Sequence, residues 1–194
     1  MKYSAGHVPS NRGKSSVVQP LKSAEHIESM KALLKDRPRD LALLTLGINS
    51  AFRAGDILAI ERSDLIELPD GRFRVSVRES KTGKVRTVEL NSQTSAALAK
   101  HLATSSGRFV FEGQRGRLTV SAVARMLKKW AAEVGVTERV ATHTMRKTFA
   151  RQHLDRGAKI TTLMHVLNHS SERQTLAYLG IVAEDVAALY ADAI

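Results

Sequence analysis

Hydrophobic residues recur at helical spacing along most of the chain, which predicts a mainly helical protein. Ser23 can cap the first helix, in which Ile27, Met30, Leu33 and Leu34 form an apolar face. The most apolar segment, LALLTLGI, predicts a buried helix within Asp40–Ile48. Further helices are predicted at Ala54–Ile60, Asn91–Ala103, Val120–Val134, Thr144–Arg156, Ile160–Leu167, Glu172–Leu179 and Glu184–Ala193.

Between residues 65 and 90 the period changes to two, which is typical of strands. Phe73, Val75 and Val77 alternate with polar residues, as in a half-buried strand. Turn signals at 69–71 and 80–84 separate this strand from Leu65–Leu68 and Val85–Leu90. The pattern predicts an α+β fold, mainly helical, with a small three-stranded antiparallel sheet. A short extended piece is also expected at Phe109–Phe111.

Charge adds a partner class to this picture. The 194 residues include 30 Lys and Arg against 19 Asp and Glu, a net charge of +11. Such an excess favours a polyanionic partner, most often nucleic acid. There is no cysteine, which excludes disulfides, thiolate metal sites and a cysteine nucleophile. No apolar run is long enough to span a bilayer, and the amino end lacks the apolar core of a signal peptide, so a cytoplasmic, nucleoid-associated protein is expected.

Several kinds of chemistry lack their motif in this sequence. Gly113 and Gly116 do not have the spacing of a nucleotide-binding loop, and no carboxylate cluster is suited to two catalytic metals. His165 and His169 could share one face of a helix, but Val166 stands where a zinc protease has its glutamate. The sequence therefore predicts no metal and no cofactor.

Four segments together resemble the catalytic domain of the tyrosine recombinase (phage integrase) family. They occur in the family's order, and each carries a residue type that the family uses. The segments are GINSAFRAGDILAIERSDL, ESKTGKVRTVEL, ATHTMRKTFARQHLDRG and LMHVLNHSSERQTLAYLGI. Asn168 replaces the family's usual glycine before the second histidine, and asparagine also tolerates a left-handed backbone.

The resemblance implies a metal-free and ATP-free DNA cleavage through a 3′-phosphotyrosine. Tyr178 would be the nucleophile, assisted by His143, and Lys81 would be the general acid, with Lys84 as its rival. Cationic donors would stabilise charge on the phosphate, and Asp56 would orient them. Those donors would be Arg53, Arg146 and His169. Tyr3 and Tyr190 are the other tyrosines of the chain.

The expected partner is double-stranded DNA. Its phosphates would contact a basic face of the sheet and one side of the helix after residue 120: Arg72, Arg74, Arg78, Lys84, Arg86, Arg125, Lys128 and Lys129. The segment Ile181–Ile194 carries three acidic residues and no Lys or Arg. It either packs on its own domain or, as the family resemblance suggests, docks on a neighbouring subunit. We expect a tetrameric synaptic complex that forms only on DNA.

Residues 1–20 are polar and basic and are expected to form a flexible arm, and residues 21–194 to form the catalytic domain. No separate amino-terminal DNA-binding domain is predicted, so the chain is either a naturally short recombinase or a catalytic fragment. Three alternatives stay open. They are a type IB topoisomerase, a non-catalytic DNA-binding regulator with the same fold, and a basic RNA-binding or ribosomal protein.

Overall fold

The computed structural model describes residues 18–181. Within that range the helices are α1 (Ala24–Leu33), α2 (Pro38–Asn49), α3 (Ala54–Leu58), α4 (Ser92–Leu102), α5 (Val120–Glu133), α6 (Thr142–Asp155), α7 (Ile160–Val166) and α8 (Glu172–Leu179). The predicted helix at Glu184–Ala193, Tyr3, Tyr190 and most of the predicted arm lie outside the described residues.

Helix starts follow local chemistry. The predicted caps are confirmed, because the Ser23 hydroxyl accepts from His26 N and the Asn91 side chain accepts from Thr94 N. Pro38 occupies the first turn of α2, where its missing N–H costs no helical hydrogen bond. The helix expected from Thr144 begins two residues earlier, at Thr142. His143 is therefore helical and shares α6 with Arg146.

The sheet confirms the predicted α+β class. Strands β1 (Leu65–Glu67), β2 (Phe73–Arg78) and β3 (Val85–Glu89) pair antiparallel in the order β1-β2-β3. Side chains at odd positions of β2 are buried and those at even positions are not. Val77 pairs with Arg86, so Arg86 points to the buried face of the sheet.

One small hairpin was not predicted from the sequence. Strands β4 (Glu112–Gly113) and β5 (Gly116–Arg117) form a hairpin just before α5. The extended piece expected at Phe109–Phe111 is reduced to a single bridge between Phe109 and Glu61. Two-residue strands leave no periodic pattern to detect, so the glycines at the turn were the available signal.

Two apolar clusters position the site. The main core surrounds α2, where Leu43, Leu44 and Leu46 are almost fully buried. α2 approaches α6 closely at Gly47, because a Cβ there would collide with Met145 Sδ. A smaller cluster joins α6, α7 and α8 and includes Leu163, Leu167 and Leu179, with Tyr178 packed against it. The carboxyl-terminal helices are thus attached to α6 by a core of their own.

Candidate active site

Arg146 lies at the centre of the site and is almost fully buried, with 3% of its surface exposed. Its guanidinium donates to the carbonyl oxygens of Ala51, at 2.6 Å, and of Leu167. Ala51 has a positive φ of 56°, a backbone conformation that L-residues seldom adopt. These two bonds join the turn after α2 to the turn after α7. They use two of the five N–H donors of the guanidinium, so donors remain for a ligand.

Arg86 makes the same kind of bridge one residue earlier on both turns. It donates to Val166 O at 2.8 Å and to Ser50 O at 3.1 Å, and its guanidinium lies over the ring of Phe52. The sequence analysis placed Arg86 on the exposed basic face of the sheet. The structure places it on the inner face of the sheet, where its contacts hold the two turns together.

Arg53 precedes α3 and faces two buried carboxylates. Its Nη1 lies 3.3 Å from Glu79 Oε2 and 3.7 Å from Asp56 Oδ2. The sequence analysis expected Asp56 here but missed Glu79, which is 3% exposed. A signal was available, since Glu79 continues the buried alternation of Phe73, Val75 and Val77.

Lys81 lies on the turn between β2 and β3 and is exposed, as is Lys84. Asp56 fixes the start of this turn, because its Oδ1 accepts from both the N–H and the hydroxyl of Ser80, at 2.9 and 2.7 Å. The positive charge of Lys81 is one of the causes that lower the pKa of His169. Lys81 therefore lies within electrostatic range of His169.

His143 stands in the first turn of α6, one turn before Arg146. Loss of solvation lowers the pKa of His143, and the charges of Arg146, Arg53 and Lys147 lower it further. The imidazole is therefore kept neutral at pH 7, and a neutral imidazole can accept a proton.

His169 follows a turn in which Asn168 has a φ of 52°. The expected left-handed conformation of Asn168 is confirmed. α7 ends at Val166, so His165 and His169 do not share a helix face, and the paired-imidazole possibility is wrong. The Thr175 hydroxyl lies 3.1 Å from His169 Nδ1, which leaves Nε2 for another partner. Burial and the charges of Arg146, Arg53 and Lys81 lower the pKa of His169.

Tyr178 packs edge-on against His169, with ring centroids 5.1 Å apart. Its hydroxyl is buried and has no hydrogen-bond partner among residues 18–181. Burial raises the pKa of Tyr178 to about 12, although nearby Arg146 and Arg53 act in the opposite direction. A phenol of this kind needs a base before it can attack.

Lys147 is a second residue that the sequence analysis missed. It is 6% exposed, and its Nζ lies 5.0 Å from the centroid of the Tyr178 ring. Burial lowers the pKa of Lys147. The only sequence signal for Lys147 was its position directly after Arg146. The helical period does not show that it contacts the Tyr178 ring.

The raised pKa of Tyr178 predicts a specific loss of stability at high pH. The folded state holds the phenol proton more tightly, so its contribution is complete below pH 10 and is lost as pH rises from 10 towards 12. We expect the wild type to lose about 1 kcal/mol of unfolding free energy between pH 9 and pH 11 that Tyr178→Phe retains. Urea unfolding of both proteins at the two pH values measures this difference; equal losses would contradict it.

The residues expected to contact DNA phosphates lie in different settings. Arg125, Lys128 and Lys129 are exposed on α5, and Lys129 lies 3.8 Å from Glu133. Arg74 pairs with Glu89 and Arg72 pairs with Asp70, so the exposed face of the sheet is partly neutralised. Arg78 donates to the carbonyl of Gly83 within the same hairpin.

The model of the phage integrase family matches residues 17–184, nearly the whole chain. The chain belongs to the phage integrase family. This confirms the family resemblance drawn from the four sequence segments.

Relatives within the phage integrase family differ in length. The chain is 33% identical over 178 residues to a probable integrase/recombinase, YoeC, of Bacillus subtilis (strain 168), covering 90% of this chain and 96% of that protein. It is 28% identical over 165 residues to the tyrosine recombinase XerC of Syntrophus aciditrophicus (strain SB), covering 78% of this chain and 52% of XerC. The chain thus spans about half the length of such XerC relatives.

Solved structures show the same fold. The crystal structure of XerA recombinase superposes with a TM-score of 0.74 at 22% identity, over 95% of this chain and 66% of that one. A lambda integrase tetramer bound to a Holliday junction gives a TM-score of 0.67 at 20% identity, over 91% of this chain and 52% of that one. At these identities the likeness establishes the fold alone, and it confirms the predicted fold class.

No group of three or more His, Asp or Glu residues within 18–181 is placed to hold a metal ion. In the same part of the chain, no helix combines the length and apolarity needed to cross a membrane.

Proposed function

We propose that this protein is a site-specific DNA recombinase that cleaves and rejoins DNA through a 3′-phosphotyrosine. The observation that carries the proposal is the setting of Tyr178. Its buried hydroxyl lies in the field of Arg146 and Arg53, and His169 packs against its ring. Membership in the phage integrase family supports the same conclusion.

In the proposed reaction Tyr178 Oη attacks the scissile phosphorus. The bond from phosphorus to the tyrosine oxygen forms while the bond to the 5′ oxygen breaks. The phenol proton passes to the neutral imidazole of His143, and Lys81 donates a proton to the departing 5′ oxygen. Arg53, Arg146 and His169 hydrogen-bond to the non-bridging oxygens, where negative charge increases. Rejoining is the reverse, so the reaction consumes no nucleotide.

The proposed partner is double-stranded DNA, bound by a cationic protein surface. The net charge of +11 and the exposed cations of α5 support this. We further propose that copies of the chain assemble on DNA, as lambda integrase does in its tetramer bound to a Holliday junction. Residues 182–194 lie outside the described range, so docking of the acidic tail on a neighbour stays a prediction.

Covalent trapping on a nicked suicide substrate tests the proposed function. Cleavage releases a short 5′-hydroxyl fragment that diffuses away, so the protein–DNA linkage accumulates. A recombinase is expected to give an adduct that survives denaturation in SDS. A DNA-binding regulator would shift the same DNA in a native gel without forming the adduct, and that result would reject the proposal.

Lys81→Ala should slow cleavage of an ordinary phosphodiester by a factor of about 100 or more, because the departing oxygen lacks its proton donor. A substrate with sulfur in place of the bridging 5′ oxygen should restore most of the rate, since a thiolate leaves unprotonated. Lys84→Ala is the matched control on the same turn. Rescue of Lys84→Ala but not of Lys81→Ala would transfer the role to Lys84.

DNA affinity should fall steeply with salt, because binding releases counterions from the phosphates. Arg125→Gln combined with Lys128→Gln should reduce the slope of log affinity against log salt by about 1 to 2. The control variant combines Lys35→Gln, on the loop after α1, with Lys100→Gln, on α4, and removes the same amount of charge. Fluorescence anisotropy measures both slopes, and equal reductions would reject the specific role of α5.

A further inference from the structure

Four buried polar atoms next to Arg53 have no hydrogen-bond partner among the described residues. They are Arg53 Nη1, Asp56 Oδ2, Glu79 Oε1 and Arg86 Nε. Each charge has an opposite charge nearby, but the nitrogen–oxygen distances of 3.3 to 3.9 Å exceed those of good hydrogen bonds. Buried charged groups are normally hydrogen-bonded. A cluster held this loosely, beside exposed Lys81, indicates a role other than stabilisation of the fold.

Glu79 connects this cluster to the turn that carries Lys81. Its Oε2 accepts from the Thr82 hydroxyl at 3.0 Å and lies 3.3 Å from Arg53 Nη1. Its backbone closes the same turn, since Glu79 N donates to Lys84 O and Gly83 N donates to Glu79 O, both at 2.8 Å. Glu79 therefore contacts both ends of the turn and the arginine beneath it.

Asp56 and Glu79 hold the two neighbours of Lys81. Asp56 accepts both hydrogen bonds from Ser80, and Glu79 accepts one from Thr82. Both carboxylates also face the Nη1 of Arg53. The exposed lysine is thus flanked on each side by a residue that is tied, through a buried carboxylate, to one arginine.

We propose that Glu79 is a positioning residue that holds Lys81 at the 5′ oxygen and links its turn to Arg53. This inference rests on the proposed function, in which Lys81 protonates the departing oxygen. Without the Glu79 carboxylate, Thr82 loses its tie to the buried cluster, and the Lys81 turn keeps side-chain hydrogen bonds at Ser80, with Asp56, and at Gly83, with Arg78. The ammonium group then samples positions away from the leaving group, and protonation slows while attack by Tyr178 continues.

The test compares Glu79→Gln with the wild type on two suicide substrates, one with the ordinary 5′ oxygen and one with the bridging sulfur. Glutamine keeps the shape of the side chain and removes its charge. We expect a 10- to 100-fold slower cleavage of the oxygen substrate and a rate within about threefold of wild type on the sulfur substrate. Glu67→Gln, an exposed change of the same charge on β1, is the control and should behave as wild type on both.

Two other outcomes on these substrates would overturn the inference. An equal loss on both substrates would mean that Glu79 acts through Arg53 or through the fold, because neither effect depends on the leaving group. No loss on either substrate would mean that Glu79 is not needed. Adding Glu79→Gln to Lys81→Ala should cause no further loss on the oxygen substrate, and full additivity would contradict the shared role. Failure of the wild type to form any adduct would reject the proposed function itself.

Discussion

Replacing Tyr178 with phenylalanine is expected to abolish the covalent protein–DNA adduct and leave DNA binding nearly unchanged. The substitution removes the attacking oxygen. The phenyl ring keeps its contacts with His169, Lys147 and the small core of α6, α7 and α8. The hydroxyl makes no hydrogen bond of standard geometry within residues 18–181, so its loss should cost the fold little. SDS gels of trapped complexes and fluorescence anisotropy on the same substrate measure the two effects.

An adduct formed by Tyr178→Phe would contradict the assignment, and its position would identify the true nucleophile. Tyr3→Phe and Tyr190→Phe are the matched controls, since each removes one phenol elsewhere in the chain. Both should form the adduct. Loss of the adduct in Tyr190→Phe together with normal DNA affinity would move the nucleophile to the acidic tail.

Arg146→Lys is expected to lower the cleavage rate at saturating DNA by a factor of about 100 to 1000. Lysine keeps the positive charge, but its three N–H groups share one nitrogen, so they do not span two carbonyls and a phosphate as the planar guanidinium does. The variant therefore loses either the bridge between Ala51 and Leu167 or its contact with the non-bridging oxygens. Single-turnover cleavage on the suicide substrate measures the loss.

Arg86→Lys separates the catalytic loss from the structural one. Arg86 makes the same bridge between the same two turns, one residue earlier. We expect a similar fall in melting temperature for both variants, with a much larger loss of cleavage in Arg146→Lys. Equal losses of cleavage at equal melting temperatures would mean that Arg146 serves only to hold the turns.

Local patterns predict most of this fold. The period of two in Phe73, Val75 and Val77 places β2 correctly, and the caps at Ser23 and Asn91 start two helices where expected. The first and last residues of helices are harder to predict, because the terminal turns depend on tertiary contacts. Thr144 illustrates this, since its hydroxyl receives from Ala141 N and donates to Gln19 O, so α6 begins earlier than expected.

The site residues could be named from motifs, but their contacts could not. Arginine is a residue type that commonly contacts DNA, and only the pairing with Val77 shows that Arg86 points inward. The bridges from Arg146 to Ala51 and Leu167 join segments far apart in the chain. Glu79 and Lys147 were missed because a charged residue is usually exposed. The alternation of β2 does predict an inward position for Glu79, whereas no local pattern shows that Lys147 is buried against Tyr178.

Mass spectrometry of the trapped complex identifies the residue that carries the DNA. Trypsin cuts after Arg173 and no Lys or Arg follows, so one peptide of residues 174–194 contains both Tyr178 and Tyr190. Fragment ions must therefore locate the attached nucleotide within that peptide. We expect a 3′-nucleotide in phosphodiester linkage to Tyr178. A nucleotide on Tyr190 or Tyr3, or bound DNA with no covalent linkage, would contradict it.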